Sequence, residues 1–224
     1  MPSSTSTPRA ASSASPDAVV DTVVLRYFLL VDEVGLLLKL AGSPLGVPRI
    51  VYDPEEADDT IDDARSEITR SINYQQKASR DRARHDDARE EAARNAVRLQ
   101  AVAALHDSGA LAVIDLDEQE LDLVGRLTSP TSCKEFDLRI PLGAGEAACL
   151  AIAVQRDLVL VTDDTDALRA LDRHRRGHPY ERIRRLLTRA GESKLCTRKR
   201  ANEIHREMRH LGFWDHEEPF PAGS

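Results

Sequence analysis

The sequence predicts an α/β fold: a parallel sheet flanked by helices, with a long helical insertion and a helical C-terminal region. Three observations point to it. Short apolar runs recur along the 224 residues, at "AVV", "VPRIVYDP", "LAVIDL" and "LVLV". Between them lie stretches whose apolar residues repeat every three or four positions, the spacing of an amphipathic helix. Strands that alternate with helices pair in parallel, because the crossover puts the helix over a sheet face.

Taken in order, "MPSSTSTPRAASSASP" is Ser, Ala, Thr and Pro with a single Arg. It lacks the apolar segment of a signal peptide or anchor, so residues 1–16 are expected to be a disordered tail ahead of one domain over 17–215. Ala18–Val20 reads as a strand that hands over at Asp21 and Thr22 to a helix, apolar at Val24, Tyr27, Phe28, Leu30 and Val31. Asp21, Arg26, Asp32, Glu33 and Lys39 interrupt this region too often for a transmembrane helix, and a soluble protein with no membrane partner is expected. "VPRIVYDP" reads as a second strand ended by Pro54, followed by the acidic loop "DPEEADDTIDD" and a helix over "ARSEITRSINYQQKA" that carries Glu67.

From about Gln75 to His106 the chain is Arg, Ala, Asp and Glu at helical spacing, apolar mainly at Val97, Leu99, Val102 and Leu105, and stops at Gly109. This predicts an exposed long helix or helical hairpin inserted in the domain. "LAVIDL" is the third strand and "DEQELDLVGRLTS" the helix after it. A helix from about Glu146 feeds the fourth strand, "LVLV", and another starts at Thr165. Two more helices are expected near Tyr180–Ala190 and Thr197–Leu211, then Gly212, Phe213 and Trp214, with residues 216–224 as a tail.

The three cysteines, Cys133, Cys149 and Cys196, are odd in number and far apart, without a C-x-x-C or zinc-like spacing. A reducing cytoplasm suits them. The net charge of −7 argues against nucleic acid until its distribution is considered: residues 167–210 hold 14 Lys and Arg against 5 Asp and Glu. Arg182, Arg184, Arg185, Arg198, Lys199 and Arg200 could form a phosphate-tracking surface, or the solvated faces of a helical pair.

Ligands of open parallel sheets sit beyond the carboxyl ends of the strands. Asp21 closes the first strand, Asp163 and Asp164 follow the fourth, and Glu146 heads the helix between the third and the fourth. Each alone suits a helix N-terminus. Asn, Ser and Thr cap about as well as Asp, so finding only carboxylates at this edge favours a cation between them.

These residues resemble a known family. "VVDTVVLRYF" looks like the opening of PIN-domain nucleases, whose first strand ends in an aspartate followed by Ser or Thr. "LGAGEAACLAIA" with "LVLVTDD" is similar to the branch in which Gly-Glu opens the later helix and two aspartates follow the last core strand. "SEITRS" resembles the second acidic position and "ANEIHREMRHLGFW" the closing helix, so the likeness spans about Ala18 to Trp214. It implies a PIN-like sheet and a Mg²⁺- or Mn²⁺-dependent ribonuclease. Asp21, Glu67, Glu146 and Asp164 would be its catalytic acids, and Asp21, Glu146, Asp163 and Asp164 its metal ligands. Thr22 and Thr162 would orient carboxylate or water. The resemblance further suggests RNA as substrate, a toxin held by an antitoxin protein as one role, and a homodimer. Asp53, Glu55 and Glu56 rival Glu67 for the second position. Two other classes stay open: a non-catalytic PIN-like binding module, and, more remotely, a phosphotransfer domain built on "TDDTD", for which no supporting lysine is evident.

Overall fold

The computed structural model describes residues 15–56 and 64–221. The expected tail over residues 1–16 falls almost wholly outside them. The chain forms a five-stranded, all-parallel sheet covered by helices, the α/β architecture anticipated. In chain order the elements are β1 (Ala18–Val20), α1 (Thr22–Leu30), α2 (Val34–Ala41), β2 (Leu45–Pro48), α3 (Glu67–Arg80), α4 (Asp86–Asp107), β3 (Leu111–Ile114) and α5 (Glu118–Thr128). A 3-10 turn at Cys133–Phe136 leads to α6 (Ala144–Arg156), β4 (Val159–Val161), α7 (Thr165–His174), β5 (Tyr180–Glu181), α8 (Ile183–Glu192) and α9 (Arg198–His210).

The strand order is β3-β2-β1-β4-β5. The chain therefore starts in the middle of the sheet, builds outward through β2 and β3, and returns to lay β4 on the other side of β1. Right-handed crossovers in opposite directions send helices to opposite faces. Accordingly α6 packs on β1, β2 and β4 between α5 and α7, while α1 meets α2, α3, α4 and α9 across the sheet. The switch point lies between β1 and β4, whose register pairs Val20 with Val161. Burial explains the strand composition: Val19, Val20, Leu160 and Val161 are enclosed by helices on both faces, so these runs are continuously apolar rather than alternating.

Several boundaries differ from expectation. The second strand is Leu45–Pro48 and not 47–54. The backbone N–H groups of Val51 and Tyr52 both donate to the Pro48 carbonyl, at 2.8 and 3.2 Å, so the apolar "IVY" turns out of the ladder while Val51 and Tyr52 stay buried. That turn seats the next helix, because the carbonyls of Ile50 and Val51 accept from the N–H groups of Glu67 and Ile68 at 2.9 and 3.0 Å. The expected insertion is a helical hairpin whose first arm, α3, begins at Glu67. Its arms close on Ile68, Ile72, Ala92, Ala96, Leu99 and Val102. Before Ile183 the chain forms an edge strand, β5, where a helix was expected from Tyr180.

The expected C-terminal tail is docked as far as it is described. Phe220 is buried, and its backbone N–H and carbonyl bond the Asn202 side chain at 3.0 and 2.6 Å. Among the described residues no helix is long and apolar enough to cross a membrane. The three cysteines are free thiols, Cys133 and Cys149 buried.

Candidate active site

The acids predicted from the sequence come together at the switch point, each placed by a different element. Asp21 caps α1: its Oδ1 accepts from the N–H groups of Val23 and Val24 at 2.6 and 3.1 Å. Its Oδ2 accepts from the Thr162 hydroxyl, one residue past β4. The carboxyl is 1% exposed. Burial pushes its pKa up to about 7 against the pull of these hydrogen bonds, and Glu146 adds a smaller repulsion. Asp164 caps α7, accepting from the Ala167 N–H at 2.6 Å, and its own N–H donates to Thr162 Oγ1 at 3.1 Å. Thr162 thereby ties the two strand ends together.

Glu67 stands in the first turn of α3 and accepts from the Thr22 hydroxyl. Its carboxylate lies against Gly145: a Cβ there would come within 2.6 Å of Glu67 Oε2. This gives a physical reason for Gly before Glu146, since any side chain at 145 would occupy the space of the acid from α3. Glu146, in the first turn of α6, has its pKa raised by burial and by the charges of Glu67 and Asp164. Asp21, Glu67, Glu146 and Asp164 thus form one electrostatic neighbourhood. Among the described residues the only cation within 4.0 Å of any of the four carboxylates is Arg70, at 4.0 Å from Glu67.

The rivals for the second position are engaged elsewhere or point outward. Asp53 pairs with Arg49 at 2.9 Å, Glu55 is exposed, and Glu56 accepts from the N–H and hydroxyl of Ser66 at 2.9 and 2.7 Å. Asp163, next to Asp164 in sequence, faces the other way. Its Oδ2 accepts from the Ile183 N–H at 2.8 Å and its Oδ1 from Arg182 Nε at 3.2 Å. Burial raises its pKa, offset by those contacts. Asp163 anchors α8 to the sheet while Asp164 stays with the cluster.

Among the described residues no three His, Cys, Asp or Glu side chains are gathered closely enough to enclose a metal ion. Three of the four acids are hydrogen bonded separately: Asp21 to Thr162, Glu67 to Thr22, Asp164 to the start of α7.

Two clefts flank the acids. One, of about 650 Å³, is lined by Thr22, Glu67 and Glu146 together with Arg26, Arg70 and Tyr74. The other, of about 470 Å³, is lined by Asp163, Asp164, Thr165 and Asp166 with Trp214 and with Arg169, which pairs with Asp166. Val23 lines both. Arg26 has its Nε buried without a hydrogen-bond partner among the described residues. Arg26 and Arg70 are isolated cations in mixed segments, which no charge run reveals, and Arg169 lies at the start of the basic run.

The six basic residues read as a phosphate track lie mostly in ion pairs. Arg182 pairs with Asp163, Arg184 with Asp215 at 3.2 Å, Arg185 with Glu181 at 3.3 Å, and Arg200 with Glu33 at 2.7 Å. Arg198 covers the Phe220 ring at 5.0 Å, and Lys199, 3.8 Å from Glu203, is largely in solvent. Three of the six are therefore neutralised by acids from outside the basic run, Asp163, Asp215 and Glu33. Compared with known proteins, the chain matches no family model, no curated protein and no solved structure.

Proposed function

We propose that this chain is a metal-dependent phosphodiesterase of the PIN-domain kind that cleaves single-stranded RNA. One observation carries the reading. Four carboxylates from four separate elements converge where the strand order reverses, and the pKa values of Asp21 and Glu146 are driven up because burial and like charges disfavour their ionised forms. A cluster of this kind is costly unless it holds positive charge. The donors fit Mg²⁺ or Mn²⁺ in kind, being carboxylate oxygens with threonine hydroxyls behind them. In geometry they are separately hydrogen bonded rather than gathered around one point.

Asp21, Glu146 and Asp164 would hold the ion, with Glu67 as the fourth acid. When bound, such an ion supplies an acidified water and neutralises charge on the reacting phosphate. The chain's own residues do the rest. Thr162 and Thr22 fix the orientation of Asp21 and Glu67. Arg26 and Arg70, which line the first cleft beside Glu67, are suited to bind the phosphate. Asp163 holds α8 in place and takes no part in the chemistry.

The test is cleavage of an end-labelled single-stranded RNA by the purified chain. Turnover should require Mn²⁺ or Mg²⁺, stop with EDTA, and fall by about a hundredfold or more in Asp21→Asn and in Asp164→Asn. A parent chain without metal-dependent turnover overturns the proposal and leaves a PIN-like binding module.

A further inference from the structure

The chain holds nine aromatic residues outside histidine: one Trp, four Tyr and four Phe. Two of the exposed ones stand in the two clefts beside the acids. Tyr74, on α3, is 57% exposed and lines the first; Trp214, after α9, is 52% exposed and lines the second. Exposed aromatics are expensive in water, and neither belongs to the core. Each ring also has an arginine against it. Arg182 lies over Trp214 at 5.1 Å and Arg84 over Tyr74 at 5.9 Å. Arg182 is in turn held by Asp163, so the indole is fixed in place before any ligand arrives. The buried Phe213 touches it at a tilt of 53°, with ring centroids 5.9 Å apart.

A flat ring that is exposed and pre-oriented, at the mouth of a cleft that also contains an arginine, suits an unpaired nucleobase. Stacking uses the π-face of the base, and the neighbouring cation takes its phosphate. Arg26 and Arg70 share the cleft of Tyr74, and Arg169 shares that of Trp214, where a phosphate would compete with Asp166 for it. Val23, which lines both clefts, stands two residues after Asp21. We propose that a single strand crosses the site at Val23, with one base stacked on Tyr74 and another on Trp214. The phosphate between them would lie over the acids. This rests on the nuclease reading for the position of the scissile bond, while the stacking itself stands apart from it. A duplex is excluded by the same geometry, because its bases already stack on one another.

Trp214 is the chain's only tryptophan, so its emission reports the second subsite directly. The full-length protein in Ca²⁺, which takes the same oxygen ligands, is titrated with an eight-nucleotide mixed-sequence RNA, single-stranded and as a blunt duplex. The single strand should quench the emission saturably and the duplex should not. Trp214→Ala and Tyr74→Ala, read by anisotropy of a labelled strand, should each weaken binding about tenfold. The effects should multiply, since the rings lie in separate clefts. Trp214→Phe should retain most of the affinity. Unchanged melting of the variants excludes misfolding. Equal quenching by duplex, or affinities within about twofold of the parent in both alanine variants, overturns the proposal. Metal-dependent cleavage without quenching keeps the nuclease reading and sinks this one. Saturable quenching without cleavage does the reverse.

Discussion

The hydroxyl of Thr162 donates to the buried carboxylate of Asp21 and accepts from the N–H of Asp164. One side chain thus couples the ends of β1 and β4 and holds two of the four acids in register. Because Asp21 is enclosed, its protonation state is part of the stability of the fold.

The folded pKa of Asp21, about 7, lies above its ordinary 3.8. Without divalent ions the folded state therefore keeps a proton that the unfolded chain has released. The associated stabilisation is full below about pH 4 and is lost as the pH rises to 7. Asp21→Asn should remove much of this slope and be more stable than the parent at pH 8, by on the order of 1–3 kcal/mol, since Asn still caps α1. Urea unfolding at pH 5 and pH 8 in EDTA measures it. A parent that gains stability between those two values contradicts the assignment.

Millimolar Mn²⁺ should cancel that loss. Binding only the folded state at about a hundred times Kd stabilises by about 2.7 kcal/mol. The melting temperature of the parent should rise at pH 8, and that of a combined Asp21→Asn, Asp164→Asn variant should stay put. Equal shifts in both would place the ion elsewhere.

Gly145→Ala tests the contact between α3 and α6. The atoms nearest the added Cβ are those of the Glu67 carboxylate, the far end of a flexible side chain, so Glu67 swings away at small cost, and Ala is the better helix former by about 1 kcal/mol. Stability should hold or rise while metal-dependent turnover falls by about tenfold or more. A variant with full turnover would remove Glu67 from the site.

The adjacent aspartates should separate into two phenotypes. Asp163→Ala removes the acceptor of the Ile183 N–H and of Arg182, and should lower stability by roughly 1–3 kcal/mol with turnover per folded molecule retained. Asp164→Asn should behave oppositely. Parallel unfolding curves and rates on both variants decide it.

Arg184 and Arg185 should prove structural. Truncating Arg184 deprives buried Asp215 of its partner, and truncating Arg185 removes one of two cations from Glu181. A double alanine variant should unfold at lower urea and bind RNA within about twofold of the parent. A shallower dependence of affinity on salt would instead make them phosphate contacts.

The sheet and the acids were legible in the sequence because burial on both faces writes continuous apolar runs, and because strand ends in such sheets are where polar residues surface. Asp21 and the Asp163–Asp164 pair could be placed from that alone, and Glu146 from its position at the head of the helix before β4. What was not legible has specific causes. Tyr180–Glu181 is too short to show any alternation. The "IVY" segment is as apolar as a strand, yet Pro48 ends the ladder before it. The division of labour between Asp163 and Asp164 depends on which way each side chain turns from the strand end. The pairing of the basic run is invisible for a similar reason: Glu33, Asp163 and Asp215 meet their arginines only once the chain has folded.

The pairing of Val20 with Val161 joins segments made far apart in time. A nascent chain has already produced Asp21, Glu67 and Glu146 when β4 does not yet exist. An unfinished or prematurely ended chain that stops before Leu158 carries those three acids with no Thr162 to orient Asp21 and no strand to complete the edge. On the proposed activity, synthesis itself withholds the cutting centre: a ribosome making this protein is not exposed to it until the last core strand has emerged and paired.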